Sequence, residues 1–143
     1  MKVTKWLLRK KFIEYNKLYF DDKLDCCQFS FLNKSNSAYG KYVRKKTACG
    51  KEESLISIGQ CIIWDEERLR EILIHEMIHM YVETVEIKHH DGLFGHGWRF
   101  RRQCRRIKHR HSVKVRVHPN YKRIDKSLEP KWWEKVLTYI LDL

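Results

Sequence analysis

A chain of 143 residues is long enough for one hydrophobic core and short for two. Its 43% apolar and 13% aromatic residues can fill that core, whereas 34% charged residues and the lack of any apolar run near ~18–20 residues exclude a membrane-spanning protein. The net charge of +12 is concentrated: between Gly92 and Ile124 there is no Asp or Glu, but eleven Lys and Arg, so the remainder is close to neutral. Such a field favours polyanions, nucleic acid above all.

In chain order, the first element expected is a helix from about Thr4 to Phe20, with Leu8, Phe12, Tyr15 and Tyr19 on one face. Three short strands should follow, at Gln28–Leu32, Ala38–Arg44 and Ser54–Gly59. The turns between them predict an antiparallel meander. Asp65 is a good N-cap for a second helix, with Glu66 and Glu67 in the favourable first turn and Trp64 and Leu69 spaced as a hydrophobic staple. This helix, carried to Val85, is apolar over much of its surface and should be buried. A third helix is expected from Trp98 to Lys108, with Phe100, Cys104 and Ile107 inward and arginines outward. Alternation of Val113, Val115 and Val117 predicts a strand over Ser112–His118, and Trp132–Leu141 reads as a closing helix.

The five cysteines are odd in number and contain no C-x-x-C pair, which argues against a disulfide framework or a cysteine zinc ribbon; small buried thiols are expected. The basic start regains charge immediately after Trp6-Leu7-Leu8, so no signal-peptide core is expected. Residues 1–143 then form one cytoplasmic domain, associated with the nucleoid if the source is bacterial.

His75-Glu76-Met77-Ile78-His79 is an H-E-x-x-H motif inside the apolar helix. Residues four apart share a helical face, so both imidazoles can reach one ion, and Glu76 can take a proton from a metal-activated water. Burying these three polar groups without a common partner would be costly. A catalytic zinc needs a third protein ligand and an open fourth position. Val82 and Val85 stand where a metzincin would have Gly and His, and no Glu follows Ile87 until Glu129. The remaining candidates are His89, His90, Asp91 and His96. His96 stands out, because Gly95 and Gly97 let the backbone approach a metal.

With these motifs, and Asn16-Lys17-Leu18-Tyr19-Phe20 in the first helix, the chain resembles the SprT-like family of zinc metallopeptidases, which includes the Spartan proteases. The shared features are H-E-M-I-H followed by Tyr81, and Gly95-His96-Gly97-Trp98-Arg99-Phe100. The resemblance implies an α+β, zincin-like domain: an N-terminal helix, a small, mainly antiparallel sheet, an active-site helix, and a following helix that supplies the third ligand. It further implies one zinc ion on His75, His79 and His96, with Glu76 as general base. The implied substrates are proteins associated with or crosslinked to DNA. Single-stranded or crosslink-bearing DNA would lie on the basic 99–123 region, chiefly Arg99, Arg102, Arg105, Arg106, Lys108 and Arg110. No cysteine follows Cys104, so the zinc ribbon of some relatives is not expected, nor is a membrane partner. The competing expectation is a basic nucleic-acid-binding module with a structural zinc.

Overall fold

The computed structural model describes residues 1–34, 38–87, 89, 91–92, 95–122, 131, 133 and 137. It is an α+β structure in which a mixed three-stranded sheet and two helices pack around a central helix. Helix α1 (Lys5–Phe20) begins where the Thr4 hydroxyl accepts the Leu7 N–H at 3.1 Å. It ends in two left-handed residues, Asp21 and Asp22. Asn16, inside the family-like stretch, is buried and ties this turn down: its amide donates to the Leu24 carbonyl and accepts from the Leu24 N–H.

The strands are β1 (Gln28–Leu32), β2 (Gly40–Lys46) and β3 (Glu52–Gly59), within two residues of expectation at each end. Their order corrects the expected meander. The order is β1-β3-β2, with β1 parallel to β3 and only β2 antiparallel to it. β3 is buried on both faces through Ser54, Ile56, Ser57 and Ile58, and a strand of that kind belongs between two others. Register explains how a short connection allows this. Leu32 pairs with Gly59 and Gly40 with Ile58, so β1 ends and β2 begins beside the same end of β3, two strand spacings (about 9.6 Å) apart.

Helix α2 (Glu66–Tyr81) is capped as expected, the Asp65 carboxylate accepting the Arg68 N–H at 2.8 Å. Leu69, Ile72, Leu73, Ile74, Met77, Ile78 and Met80 are all at most 1% exposed. At about 1.5–3 kcal/mol for each such side chain, this helix is the main apolar contribution to the fold. The expected continuation to Val85 is not α-helical: Val82–Glu86 form a π-helical turn, closed by the Ile87 N–H on the Val82 carbonyl. Helix α3 (Trp98–His111) runs three residues beyond expectation and buries Phe100, Gln103, Cys104 and Ile107.

Ser112–His118 does not form a strand: Ser112 is the left-handed C-cap of α3, and the chain bends at Val117 and His118. The alternation is real, since Val113 and Val115 are buried and Lys114 exposed. Its polar groups, however, bond to side chains of α2 instead of a neighbouring strand. Of the expected closing helix only Trp133 and Leu137 are described; both are helical and exposed, and the rest lies outside the described residues. None of the cysteines forms a disulfide. Cys61 and Cys104 are buried as expected, whereas Cys26 and Cys49 are exposed. No helix of the described residues is long and apolar enough to cross a membrane.

Candidate metal centre

His75 and His79 leave α2 one turn apart, with ring centroids 5.0 Å from each other. The loop after the π-helical turn brings a third imidazole to them. Asp91, one of the candidate ligands, is instead the device that folds this loop. It is 5% exposed, its backbone carbonyl accepts the Gly97 N–H, and its carboxylate accepts the Phe100 N–H at 2.9 Å, which caps α3. Gly97 is required there, because a Cβ would lie 2.7 Å from the Asp91 carboxyl carbon. Gly95 has a φ of 72°, in the left-handed region that favours glycine. Between these two glycines His96 is turned onto the helix, 5.2 Å from the His75 ring and 4.9 Å from that of His79. His89 is exposed and outside the cluster, and His90 lies outside the described residues.

The ligating atoms of His75, His79 and His96 lie within 4.8 Å of one another. Nε2 of His75 and Nε2 of His96 are 3.2 Å apart. Two nitrogens at about 2.0–2.1 Å from one tetrahedral ion are about 3.3–3.4 Å apart, so this pair already has the required spacing. The Arg116 carbonyl, 3.1 Å from His75 Nδ1, can only accept, so Nδ1 carries the proton and Nε2 is left bare toward the cluster. Burial holds the His75 imidazole down, to about 4, and pushes the Glu76 carboxyl up to about 8. Both groups therefore disfavour charge in this pocket, as ligands and a base awaiting a cation would. The residues present fit a metal ion.

The surroundings are built with equal care. Phe100, fully buried, lies 4.8, 4.5 and 4.9 Å from the rings of His75, His79 and His96 and closes one side. Gly40, at the start of β2, lies over Glu76: a Cβ there would come within 2.8 Å of Glu76 Oε1 and 2.9 Å of Ile72 Cγ2. Behind His75, the Glu71 carboxylate binds Arg116 through its backbone N–H at 2.8 Å and its guanidinium at 2.9–3.3 Å, and also takes the Tyr121 hydroxyl. Burial alone would raise the Glu71 carboxyl, but these hydrogen bonds and the Arg116 charge hold it below its ordinary value. A cleft of about 460 Å³ lies beside Glu71, Arg68, Lys114 and Arg116, along the first turns of α2.

A model of the SprT-like family matches residues 8–122. The chain belongs to the SprT-like family. No curated protein matches it. Membership brings a metallopeptidase-like domain, and the three-histidine cluster of this SprT-like chain could hold a metal ion.

The basic residues separate into two groups. Arg102, Arg105, Lys108 and Arg110 are exposed along α3, Arg99 is half-buried, and the guanidinium groups of Arg99 and Arg102 stand over the exposed Trp98 ring at 4.4 and 4.9 Å. Arg102 also pairs with Glu86. Arg106 points inward and is committed to structure, donating to the Tyr19 carbonyl and to Gln103, both at 2.6 Å. Arg116 is committed likewise, to Glu71, and Arg123 lies outside the described residues.

The sequence reading misses Gly40, Glu71 and the roles of Asp91 and Arg116. Two of these leave a trace in the sequence. Gly40 interrupts an alternating strand, which marks a close approach. Glu71 is an acid four residues before His75, on the same face of the helix.

Proposed function

We propose that this chain is a zinc-dependent endopeptidase of zincin-like architecture. His75, His79 and His96 hold one zinc ion, and Glu76 acts as general base. The observation that carries this reading is the meeting of three imidazole nitrogens within 4.8 Å beside a buried carboxyl. The donor set is all nitrogen, which suits zinc, and three ligands leave the open position that a catalytic site keeps. Bound there, zinc supplies Lewis acidity to a peptide carbonyl and acidifies a water molecule. Glu76 takes the proton of the attacking water as oxygen bonds to the carbonyl carbon. It then gives that proton to the amine nitrogen as the C–N bond breaks. Burial raises the affinity of Glu76 for this proton, which suits a group that must carry it between the two steps.

The position of α3 supports a substrate class. Helix α3 starts one residue after Gly97, so its exposed arginines and Trp98 adjoin the histidine cluster. Cations track phosphates and an exposed indole can stack on an unpaired base. We read this face as holding single-stranded or crosslink-bearing DNA, with the protein attached to that DNA presented for cleavage. The test is cleavage of a basic DNA-binding protein by the zinc-loaded chain, with and without single-stranded DNA, beside Glu76→Gln. Cleavage that needs Glu76 and rises with DNA is expected. Cleavage unaffected by DNA would remove the nucleic-acid part, and cleavage retained by Glu76→Gln would remove the peptidase mechanism.

A further inference from the structure

We propose that His118 is a catalytic residue, donating an imidazole N–H to the scissile carbonyl oxygen as that oxygen gains negative charge. This deepens the peptidase reading and rests on it. Hydrolysis through a tetrahedral state puts charge on the carbonyl oxygen, and a preorganised donor aimed at that oxygen is among the largest contributions a protein makes. Zinc and Glu76 leave room for such a donor, and two late residues have suitable chemistry: His118 and Tyr121.

The structure separates them. The Tyr121 hydroxyl is held on Glu71, behind His75, and also packs beside Tyr39. His118 reaches the cluster itself. Its ring stands edge-on to His96, with centroids 5.4 Å apart and planes at 87°. It is not one of the clustered ligands, whose nitrogens lie within 4.8 Å of one another. It also differs in exposure. Phe100 seals one side of the three rings, and the Arg116 carbonyl backs His75. His118 is exposed, so it meets the cluster from the solvent side, where a peptide must arrive.

Its placement is enforced from both directions along the chain. Two residues before it, Arg116 is clamped to Glu71 by backbone and guanidinium together. Three residues after it, the Tyr121 N–H donates to the Tyr39 hydroxyl at 3.1 Å, and that hydroxyl lies 3.2 Å from the Tyr121 carbonyl. Pro119 fixes φ immediately after the imidazole. A segment that joins no sheet is thus fastened to α2 and to the residue leading into β2, and it holds the His118 imidazole against His96 of the ligand set. A donor held on such fixed supports needs no reorganisation when charge develops. His118 transfers no proton in this role: Glu76 carries the water's proton to the leaving amine, and His118 only donates a hydrogen bond that strengthens in the transition state.

The experiment uses the full zinc-loaded chain as wild type, His118→Ala, His118→Asn and Glu76→Gln. Three quantities are read: zinc affinity by chelator competition, kcat and KM on a cleaved protein, and affinity for a phosphinic peptide, whose tetrahedral phosphorus oxygen mimics the charged carbonyl oxygen. For His118→Ala we expect unchanged zinc affinity, kcat lower by about 10²–10³-fold with KM nearly unchanged, and a parallel fall in phosphinic-peptide affinity. His118→Asn, whose amide can donate, should recover part of both losses. A weakened zinc site in His118→Ala would make His118 a ligand and overturn the proposal. So would a rise in KM at constant kcat, or unchanged affinity for the phosphinic peptide. If Glu76→Gln cleaves as well as wild type, the peptidase reading itself falls. If Glu76→Gln is inactive and His118→Ala fully active, only the role of His118 falls.

Discussion

Replacing Glu71 by Ala should weaken metal binding although Glu71 is not a ligand. The carboxylate receives the Arg116 backbone N–H at 2.8 Å, its Nε at 3.0 Å and its Nη2 at 2.9 Å, plus the Tyr121 hydroxyl. Breaking a buried ion pair from one side costs about 3–5 kcal/mol. Here Glu71 is only 10% exposed but Arg116 is 38% exposed and can rehydrate, so about 2–3 kcal/mol is the better figure. For a domain of this size that lowers Tm by roughly 6–10 °C. The same change frees the segment whose Arg116 carbonyl orients His75, and losing an outer partner of this kind costs about 10–100-fold in metal affinity. Differential scanning calorimetry and zinc competition against a chelator measure the two effects. A destabilised Glu71→Ala that retains wild-type zinc affinity would refute the coupling of Glu71 to His75.

The pH dependence follows from the same carboxyl, held below its ordinary value near 4.5. A depressed folded-state value gives stability that is present above the unfolded value and lost as pH falls through the folded one. The stability difference between wild type and Glu71→Gln should therefore narrow on acidification below about pH 4.5, as read by urea unfolding; a constant gap would contradict it. Gly40→Ala places a methyl 2.8 Å from Glu76 Oε1 and should cut kcat by about 10²-fold with about 1–3 kcal/mol of destabilisation but little change in zinc affinity. Wild-type kinetics would show that Glu76 can move aside. Chelation should lower Tm yet leave the far-UV spectrum folded, since the α2 core does not depend on the ion; zinc at 100 times its Kd restores about 2.7 kcal/mol. Unfolding on chelation would instead mark a structural metal. Arg99→Ala with Arg105→Ala should reduce the slope of log affinity for single-stranded DNA against log salt by about 1.4, whereas Arg106→Ala should lower Tm and leave that slope alone. Equal slopes for all would place the DNA elsewhere.

Local signals carry the parts of this structure that the sequence makes legible. Asp65, the staple pair and apolar residues recurring at helical spacing define α2, and H-E-x-x-H fixes two imidazoles on one face by helical geometry alone. His96 is legible through its two glycines, although their reasons differ: Gly95 for its left-handed backbone, Gly97 for the space Asp91 needs. Strand order is not legible, because alternation says which face is buried and nothing about which neighbour is adjacent; β3 becomes central through burial on both faces. For the same reason Val113 and Val115 mimic a strand. Their alternate burial is a property of any extended segment against a core, and the backbone partners there are Glu71 and His75. Arg106 shows the corresponding limit for charge: in sequence it is one of a basic run, and only packing reveals the Tyr19 carbonyl at its tip.

The proposed mechanism depends on a three-imidazole centre with one position left open for reaction. The decisive measurement is X-ray absorption at the zinc edge of the zinc-loaded chain. Three nitrogen ligands at about 2.0–2.1 Å and one light-atom ligand are expected, with one nitrogen lost in His96→Ala. Sulfur at about 2.3 Å, or a closed set of four imidazole nitrogens, would contradict it.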